Sequence, residues 1–396
     1  MTASTAVAPV TERAPARPGR AIRVWLDRLV AVAFVAALAI PGTLLAAGVR
    51  PVSIENREQA AFPAVSLGRL ADPAFFSAID QFLVDNLPLR NEAVAAHAQV
   101  GEQVLGDTTD PQVVRGRDGW LFLRGEMEPK CDFTAAQVLR QVDTAAAGLA
   151  ATGRDFRYVV APDKHGVYSE QLVPDPTAAT PCSDVQRPAL QAGLLARPGS
   201  TVELWTPTVA AHHDNPAAPL YYVQDEHWTP LGAVAGIKAL VQSLAPRVWR
   251  DSDVTIDGTE QHASDLSRLI GLPRDETIPK IVMRPDVHVD RRLLDTGVHV
   301  EHARDIPWFT VRGTSRVVPG RTLFVYDSFY GTVMTRIAPF FAESVWVHEG
   351  DLYNHPELAA ALPKFDTIVF QRVERSAYFT DVSSVLASVI AANPKK

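Results

Sequence analysis

Two short motifs, far apart in the chain, carry the residue types needed for acyl transfer. The first contains His227 and, two residues before it, Asp225; the second contains Ser328. A serine hydroxyl is a weak nucleophile at neutral pH and needs a neighbouring base whose tautomer is fixed by a third group. Side chains two positions apart in an extended segment point the same way, so Asp225 is predicted to hold one nitrogen of His227. The other nitrogen would then face Ser328.

Each of these residues also has an ordinary structural interpretation. Ser328 could cap a helix, Asp225 could close a turn, and His227 could be a satisfied histidine near that turn. All three fall at predicted junctions between a strand and a helix. That coincidence favours a catalytic triad of Ser328, His227 and Asp225.

A metal site is the other chemical interpretation of these side chains. The candidate ligand sets are Asp225 with His227, and His288 with His299 and His302. None of them has the helical His-x-x-x-His spacing with an intervening Glu. The sequence therefore predicts no metal.

The uncharged stretch from Leu29 to Val49 predicts a membrane-spanning helix. At about 1.5 Å per residue it reaches roughly the 30 Å of a bilayer's hydrocarbon core. Five arginines precede it, so the positive-inside rule keeps residues 1–28 cytoplasmic and exports the chain after Arg50. A cleaved signal peptide is the alternative, because small residues follow Pro41. Either interpretation places the candidate triad outside the cytoplasm.

Composition and cysteine usage agree with an exported globular protein. The 396 residues, 47% of them hydrophobic, allow one large domain or two smaller ones. A formal charge of -7 gives no general basic surface, which argues against nucleic acid as the partner. The only cysteines are Cys131 and Cys182, which an oxidising compartment is expected to join in a disulfide; two partly buried thiols are the alternative.

Beyond the anchor, the pattern predicts a helical neck over residues 50–110 and an α/β domain over residues 111–396. Residues 251–320 are poorer in helix and are predicted to form a β-rich insertion. Thr229 is predicted to cap the helix that follows His227. The predicted strands include Phe156–Ala161, Leu220–Val223, Thr322–Tyr326, Ser344–His348 and Thr367–Gln371. Catalytic groups in open α/β sheets gather beyond the carboxyl ends of strands, where this order places both motifs.

With these features in place, the chain resembles the alginate O-acetyltransferase family of the SGNH-hydrolase-like superfamily, exported proteins that O-acetylate bacterial polysaccharides. The Asp-x-His-Trp and Asp-Ser-Phe pair is the specific part. Supporting landmarks are Glu55-Asn56-Arg57, Phe62-Pro63, Gly119-Trp120-Leu121-Phe122, Pro162-Asp163-Lys164 with Tyr168, and Glu374-Arg375. The resemblance implies an α/β, flavodoxin-like sheet with helices on both faces. It also implies a reversed motif order, in which the acid and base precede the nucleophile.

The activity implied by the resemblance is membrane-anchored O-acetyl transfer, with Ser328 as nucleophile, His227 as base and Asp225 as its orienter. Ser328 would carry the acetyl group as an ester and pass it to a polysaccharide hydroxyl. The donor would be a membrane-bound O-acyltransferase partner, with no cofactor. A carbohydrate acetylesterase with the same triad and a non-catalytic polysaccharide-binding scaffold of an export complex are the alternatives.

Four further residues are weaker candidates for substrate contact: Lys164, Trp228, Tyr330 and Arg375. Lys164 could be an exposed loop charge, could touch an anionic sugar, or could position its loop. Arg375 follows a predicted strand and is either a site residue or half of a surface ion pair with Glu374.

Overall fold

The computed structural model describes residues 20–51, 60–101, 108, 110–175, 178–297 and 303–393. The chain divides into two compact units, Met1–Ala96 and His97–Lys396. The first unit contains α1 (Arg20–Ala46) and α2 (Pro73–Asn86), and α3 (Arg90–Val100) crosses the boundary. The Glu55-Asn56-Arg57 landmark lies outside the described residues.

Helix α1 is long and apolar enough to cross a membrane, judged by its length and composition. Its apolar portion is Val24–Ala46, 23 residues near the N-terminus. Compared with the predicted stretch from Leu29 to Val49, the helix begins earlier and ends earlier, and it continues through Pro41. A signal sequence would have the same properties, so both interpretations of the segment remain.

Helix α2 has the sequence signals expected at a helix start. The carboxylate of Asp72 accepts a hydrogen bond from the backbone N–H of Ala74 at 2.9 Å, and Pro73 occupies the first helical position. Pro88 lies in the short break that separates α2 from α3.

In the second unit, strands alternate with helices, as the α/β pattern predicts. The strands are β1 (Val113–Arg115), β2 (Leu121–Leu123), β3 (Asp155–Ala161), β4 (Thr201–Glu203), β5 (Val254–Ala263), β6 (Asp275–Met283), β7 (His288–Leu293), β8 (Pro307–Arg312), β9 (Val318–Tyr326), β10 (Phe341–His348) and β11 (Thr367–Val373). The longer helices are α4 (Ala135–Ala151), α6 (Cys182–Leu195), α7 (Trp205–Asp214), α8 (Pro230–Leu244) and α15 (Val382–Ala392). The shorter helices are α5 (Lys164–Val167), α9 (Asp265–Leu269), α10 (Ser328–Gly331), α11 (Met334–Ile337), α12 (Glu349–Asn354), α13 (Leu358–Ala361) and α14 (Glu374–Ala377).

Seven strands form the main sheet, in the order β4-β3-β11-β9-β10-β8-β7. The first five are mutually parallel, whereas β8 runs antiparallel to both β10 and β7. If the parallel strands β9, β10, β11, β3 and β4 are numbered 1 to 5 in that sequence, their order across the sheet is 2-1-3-4-5. This is the strand order of flavodoxin-like folds. The fold is thus an SGNH-hydrolase-like α/β fold whose chain begins partway through that order, which explains the reversed order of the motifs.

Helices cover both faces of this sheet, as predicted. Successive side chains of a strand point to opposite faces, so β3 sends Val159 into one hydrophobic cluster and Val160 into the other. Helix α8 packs in the first cluster, and α4, α6 and α15 pack in the second. Strand β11 is buried along its whole length, as expected for a strand with both faces covered.

The predicted β-rich stretch, 251–320, contains two different structures. Strands β5 and β6 pair with each other in a separate antiparallel sheet, whereas β7 and β8 extend the main sheet. His288 begins β7, and His299 and His302 lie outside the described residues.

Both edge strands of the main sheet are poorly suited to pairing with a further strand. At one edge, β4 has only three residues, Thr201–Glu203. At the other, β7 is mostly exposed and carries Asp290, Arg291 and Arg292 within six residues. Cys131 and Cys182 form a disulfide with a Cα to Cα distance of 5.7 Å, which ties the start of α6 to the segment before α4.

Candidate active site

The acid and base lie on a tight loop rather than on a strand. The sequence predicted a strand over Leu220–Val223, but the structure has only an isolated antiparallel bridge between Tyr221 and Trp228. The prediction of a strand is therefore wrong: the segment turns back on itself within a few residues. Within this loop, Asp225 Oδ1 lies 2.7 Å from His227 Nδ1 and accepts the backbone N–H of His227 at 2.9 Å.

The helix that follows this loop is anchored as predicted. The hydroxyl of Thr229 accepts the backbone N–H of Gly232 at 3.1 Å, and the backbone N–H of Thr229 donates to the carbonyl of Leu220 at 2.9 Å. A Cβ at Gly232 would lie 1.9 Å from the Leu220 oxygen, so only glycine permits this approach. His227 thus lies shortly before α8, whose first turn is fixed in position by these contacts.

A second histidine holds the other side of Asp225. His262 Nε2, from β5, lies 2.7 Å from Asp225 Oδ2, and the backbone N–H of Asp265 donates to the same oxygen at 3.1 Å. The His262 ring stacks on Tyr222 with ring centroids 3.8 Å apart. Sequence reasoning missed His262, because a lone histidine in an exposed strand gives no sign of its partner.

Charges around the loop favour an ionised acid and raise the proton affinity of the base. Burial alone would raise the pKa of Asp225, but hydrogen bonds from His227 and His262 hold it well below its usual range. Burial alone would lower the pKa of His227, yet the hydrogen bond to Asp225 and the negative charges of Asp225, Glu226 and Asp265 raise it to about 9. Burial and the nearby Asp225 charge raise the pKa of Asp265 to about 7.

Ser328 stands at the first position of α10, just beyond the end of β9. The helix cap is its neighbour Asp327, whose carboxylate accepts the backbone N–H of Phe329 at 2.9 Å and that of Val373 at 2.6 Å. The capping role considered for Ser328 is therefore filled by Asp327, and the Ser328 side chain is exposed. Burial raises the pKa of Asp327 to about 6.

Backbone donors at the start of α10 are already engaged. The N–H of Phe329 is bound by Asp327, and the N–H of Tyr330 points to Gln371 Oε1 at 3.3 Å. These two N–H groups are therefore not free to bind an oxyanion.

The structure brings the two motifs side by side. The indole N–H of Trp228 donates to the backbone carbonyl of Phe329 at 2.9 Å, and the rings of His227 and Phe329 have centroids 5.1 Å apart. His227 Nε2 is buried and has no hydrogen-bond partner, so it is not yet bonded to Ser328. Catalytic hydrogen bonds are often long before substrate binds, and the free nitrogen is the one a base requires.

Arg375 links the base to a deeper network of carboxylates. Its guanidinium donates to Asp163 Oδ1 at 2.7 Å and to Glu226 Oε2 at 2.5 Å, and it lies 5.7 Å from the Phe329 ring centroid. The other oxygen of Glu226 is 3.8 Å from His227 Nε2. Of the two interpretations of Arg375, the structure does not have the surface ion pair with Glu374: its partners are Asp163 and Glu226.

The other three weaker candidates are buried and cannot touch a substrate in this structure. Lys164 is fully buried, and its ammonium donates to the backbone carbonyls of Leu121, Val223 and Asp225 at 2.5, 2.9 and 3.0 Å. Three N–H donors thus meet three acceptors, and Lys164 positions the Asp225 loop. Trp228 and Tyr330 are equally buried. Substrate contact is corrected for all three.

A metal interpretation competes with the triad at the same residues. Ligand atoms of Asp225, His227 and Asp265 all lie within 4.8 Å of one another. The shortest of these separations is the 2.7 Å hydrogen bond between Asp225 and His227. A hydrogen bond this short between an acid and an imidazole is what an acid and base pair requires. His288 is exposed and faces Asp290 at 3.0 Å.

Comparison with known proteins agrees with this class of fold. Residues 113–297 match the family model described as SGNH hydrolase-like domain, acetyltransferase AlgX. The matched stretch includes Asp225 and His227 and ends before Ser328. Residues 113–297 are thus similar to an SGNH-hydrolase-like acetyltransferase domain. Over the matched residues the chain is alginate O-acetyltransferase-like, which confirms the resemblance.

The chain is also similar to several solved structures of bacterial proteins. The O-acetyltransferase domain of Pseudomonas putida AlgJ is 17% identical, with a TM-score of 0.45 over 71% of this chain and 98% of that one. Bacillus cereus PatB1 with a sulfonyl adduct is 12% identical, with a TM-score of 0.49 over 68% and 96%. A DHHW family protein from Eubacterium siraeum is 14% identical, with a TM-score of 0.45 over 72% and 100%. No curated protein sequence matches this chain.

Proposed function

We propose that this protein transfers acetyl groups to hydroxyls of an exported or cell-surface polysaccharide through an acyl-enzyme on Ser328. The observation that carries the proposal is the meeting of the two motifs. Asp225 fixes one nitrogen of His227 at 2.7 Å, and the other nitrogen is without a partner beside the turn that exposes Ser328. The indole N–H of Trp228 holds that turn in place by donating to the Phe329 carbonyl.

The first half-reaction loads the serine. His227 Nε2 takes the proton from Ser328 Oγ as the oxygen attacks the acetyl carbonyl of the donor. The proton then passes from His227 to the departing group, and the acetyl group stays on Ser328 as an ester. Asp225 keeps the Nδ1 proton in place and stabilises the imidazolium that forms.

The second half-reaction reverses these roles. A sugar hydroxyl gives its proton to His227 Nε2 and attacks the ester carbonyl. The bond between the carbonyl carbon and Ser328 Oγ breaks, and Ser328 regains the proton. Transfer rather than hydrolysis requires that the sugar, not water, occupies this position.

The location proposed for this chemistry is the outer side of a cell membrane. Residues 29–49 form the anchor, residues 1–28 the cytoplasmic tail, residues 50–110 the neck and residues 111–396 the catalytic domain. The length and composition of α1 support the anchor. The acetyl donor is a membrane-bound O-acyltransferase partner.

The decisive experiment is to trap the acyl-enzyme. Full-length protein in detergent is incubated with an activated acetyl ester, quenched and digested, and the acetylated peptide is identified by mass spectrometry. The adduct is expected on Ser328 and is expected to vanish in Ser328→Ala. The matched control is Ser315→Ala, an exposed serine in the loop before β9.

Oligosaccharide acceptors then distinguish transfer from hydrolysis. Added acceptor should divert acetyl from acetate to sugar ester. An unmodified Ser328 in protein that is shown to be folded would refute the acyl-enzyme, and acetate release indifferent to every acceptor would count against transfer.

A further inference from the structure

A cleft of about 300 Å³ opens on the same edge of the sheet as Ser328. Strand β9, which delivers the serine, lies between β10 and β11. Glu349 follows β10 directly, and Arg375 and Ser376 lie just beyond β11; all three line the cleft. The cleft therefore lies among the loops on both sides of the nucleophile. Its volume is at the lower end of the range of about 300–1,000 Å³ for small-molecule sites.

The lining of this cleft has groups free to bind a polar, uncharged ring. The hydroxyls of Ser376 and Thr380 make no hydrogen bond within the part of the chain that the structure describes, and each is both donor and acceptor. The ring of Phe379 is 37% exposed and offers an apolar face. Glu128, also in the lining, is exposed. Hydroxyls, a carboxylate and an aromatic ring match the alternating polar and apolar surface of a pyranose.

The charges of the cleft are unfavourable to an anionic sugar. Arg375 is its one basic side chain among the described lining residues, and three carboxylates already face it: Asp163 at 2.7 Å, Glu226 at 2.5 Å and Glu126 at 3.7 Å. Its positive charge is therefore already engaged by carboxylates of the protein.

The two acidic lining residues differ in how far they are neutralised. Glu349 is bound by the buried Arg372 at 2.5 Å. Glu128 has no partner within the described residues. An incoming uronate carboxylate would meet an acidic surface, and like charges brought together in a partly desolvated cleft repel.

We propose that this cleft is the acceptor subsite and that it binds an uncharged pyranose unit of the polysaccharide rather than a uronate. The proposal rests on the acetyl transfer proposed above and names its acceptor class. It places the sugar between the loops after β10 and β11, beside the serine that would carry the acetyl group.

The test measures binding without chemistry. Full-length Ser328→Ala protein in detergent is titrated calorimetrically with a xylan-type hexasaccharide and with an oligomannuronate of equal length. The neutral sugar is expected to bind at least about tenfold more tightly at low salt. Added salt is expected to reduce this difference in affinity between the two oligosaccharides. Phe379→Ala should weaken binding of the neutral sugar.

A substitution that removes one negative charge from the cleft tests whether the cleft causes the preference for a neutral sugar. Glu128→Gln in the same background should tighten oligomannuronate binding several-fold, about as expected for removing one nearby negative charge. The matched control is Asp214→Asn, an exposed carboxylate on α7. Tighter binding of the uronate than of the neutral sugar would overturn the proposal, as would equal effects of Glu128→Gln and Asp214→Asn.

Failure of this proposal is distinguishable from failure of the proposed function. The acyl-enzyme test on Ser328 needs no acceptor, and this binding test needs no acyl-enzyme. A chain that loads acetyl but prefers uronates would keep its activity and lose only the acceptor class proposed here.

Discussion

The bond between His262 and Asp225 provides a sharp test of how the base is positioned. Both carboxylate oxygens of Asp225 are hydrogen-bonded to histidines, Oδ1 to His227 at 2.7 Å and Oδ2 to His262 at 2.7 Å. His262→Phe keeps an aromatic ring over Tyr222 and removes the N–H donor. His262→Gln removes the ring and keeps a donor. The two variants therefore separate the hydrogen bond from the stacking.

The size of the effect follows from the bond and its exposure. A hydrogen bond to a charged group contributes about 1.5–3 kcal/mol. The His262 side chain is 25% exposed, so water replaces part of the lost bond and about 1–2 kcal/mol is the expected loss. If the whole loss reaches the transition state, kcat falls roughly 5- to 30-fold. KM should change little, because His262 does not touch the acceptor cleft.

The assay is acetyl transfer from an activated ester to a neutral oligosaccharide, followed over pH, with thermal unfolding as the control for folding. His262→Gln should retain most of the rate, and His262→Phe should not. Equal rates in His262→Phe and the unmodified protein would refute the positioning role. A loss of rate in His262→Gln that is absent from His262→Phe would assign the effect to the ring stacked on Tyr222.

Three further substitutions probe other parts of the site. Glu226→Gln removes a negative charge beside His227, so the pKa of the base should fall from about 9 and the rising limb of rate against pH should move about one unit to lower pH; an unmoved limb contradicts this. Trp228→Phe loses the bond to the Phe329 carbonyl and should lower the free energy of unfolding by about 0.5–1.5 kcal/mol, measured by urea titration, together with activity. Lys164→Met removes three hydrogen bonds from a charged donor to backbone carbonyls, each contributing about 1.5–3 kcal/mol, so an unchanged urea midpoint would argue against its positioning role.

The site-bearing ends of the strands were predictable from the sequence. The predicted strands ending at Ala161, Tyr326 and His348 end at those residues in β3, β9 and β10. Apolar runs that stop abruptly at polar residues mark the point where a buried strand leaves the core. The local signal thus located Ser328 correctly, one residue beyond the Asp327 cap.

Contacts between distant segments were not predictable. His262 reaches Asp225 only because the β5 and β6 pairing sets its register, and 37 residues separate the two in sequence. Lys164 looked like a loop charge, because the carbonyls that surround its ammonium come from two other segments. Leu220–Val223 has a strand-like composition, but no neighbouring strand is available to it beyond one bridge. In each case tertiary pairing overrides local pattern.

The short or charged edge strands of the main sheet affect how copies of this protein interact at high concentration. A three-residue β4 and a charged β7 offer poor templates for another copy to add a strand. Arg292 also lies over the Trp308 ring, 3.8 Å from its centroid, and shields the neighbouring strand. Copies of this domain at high concentration are therefore poorly suited to joining edge to edge into ribbons.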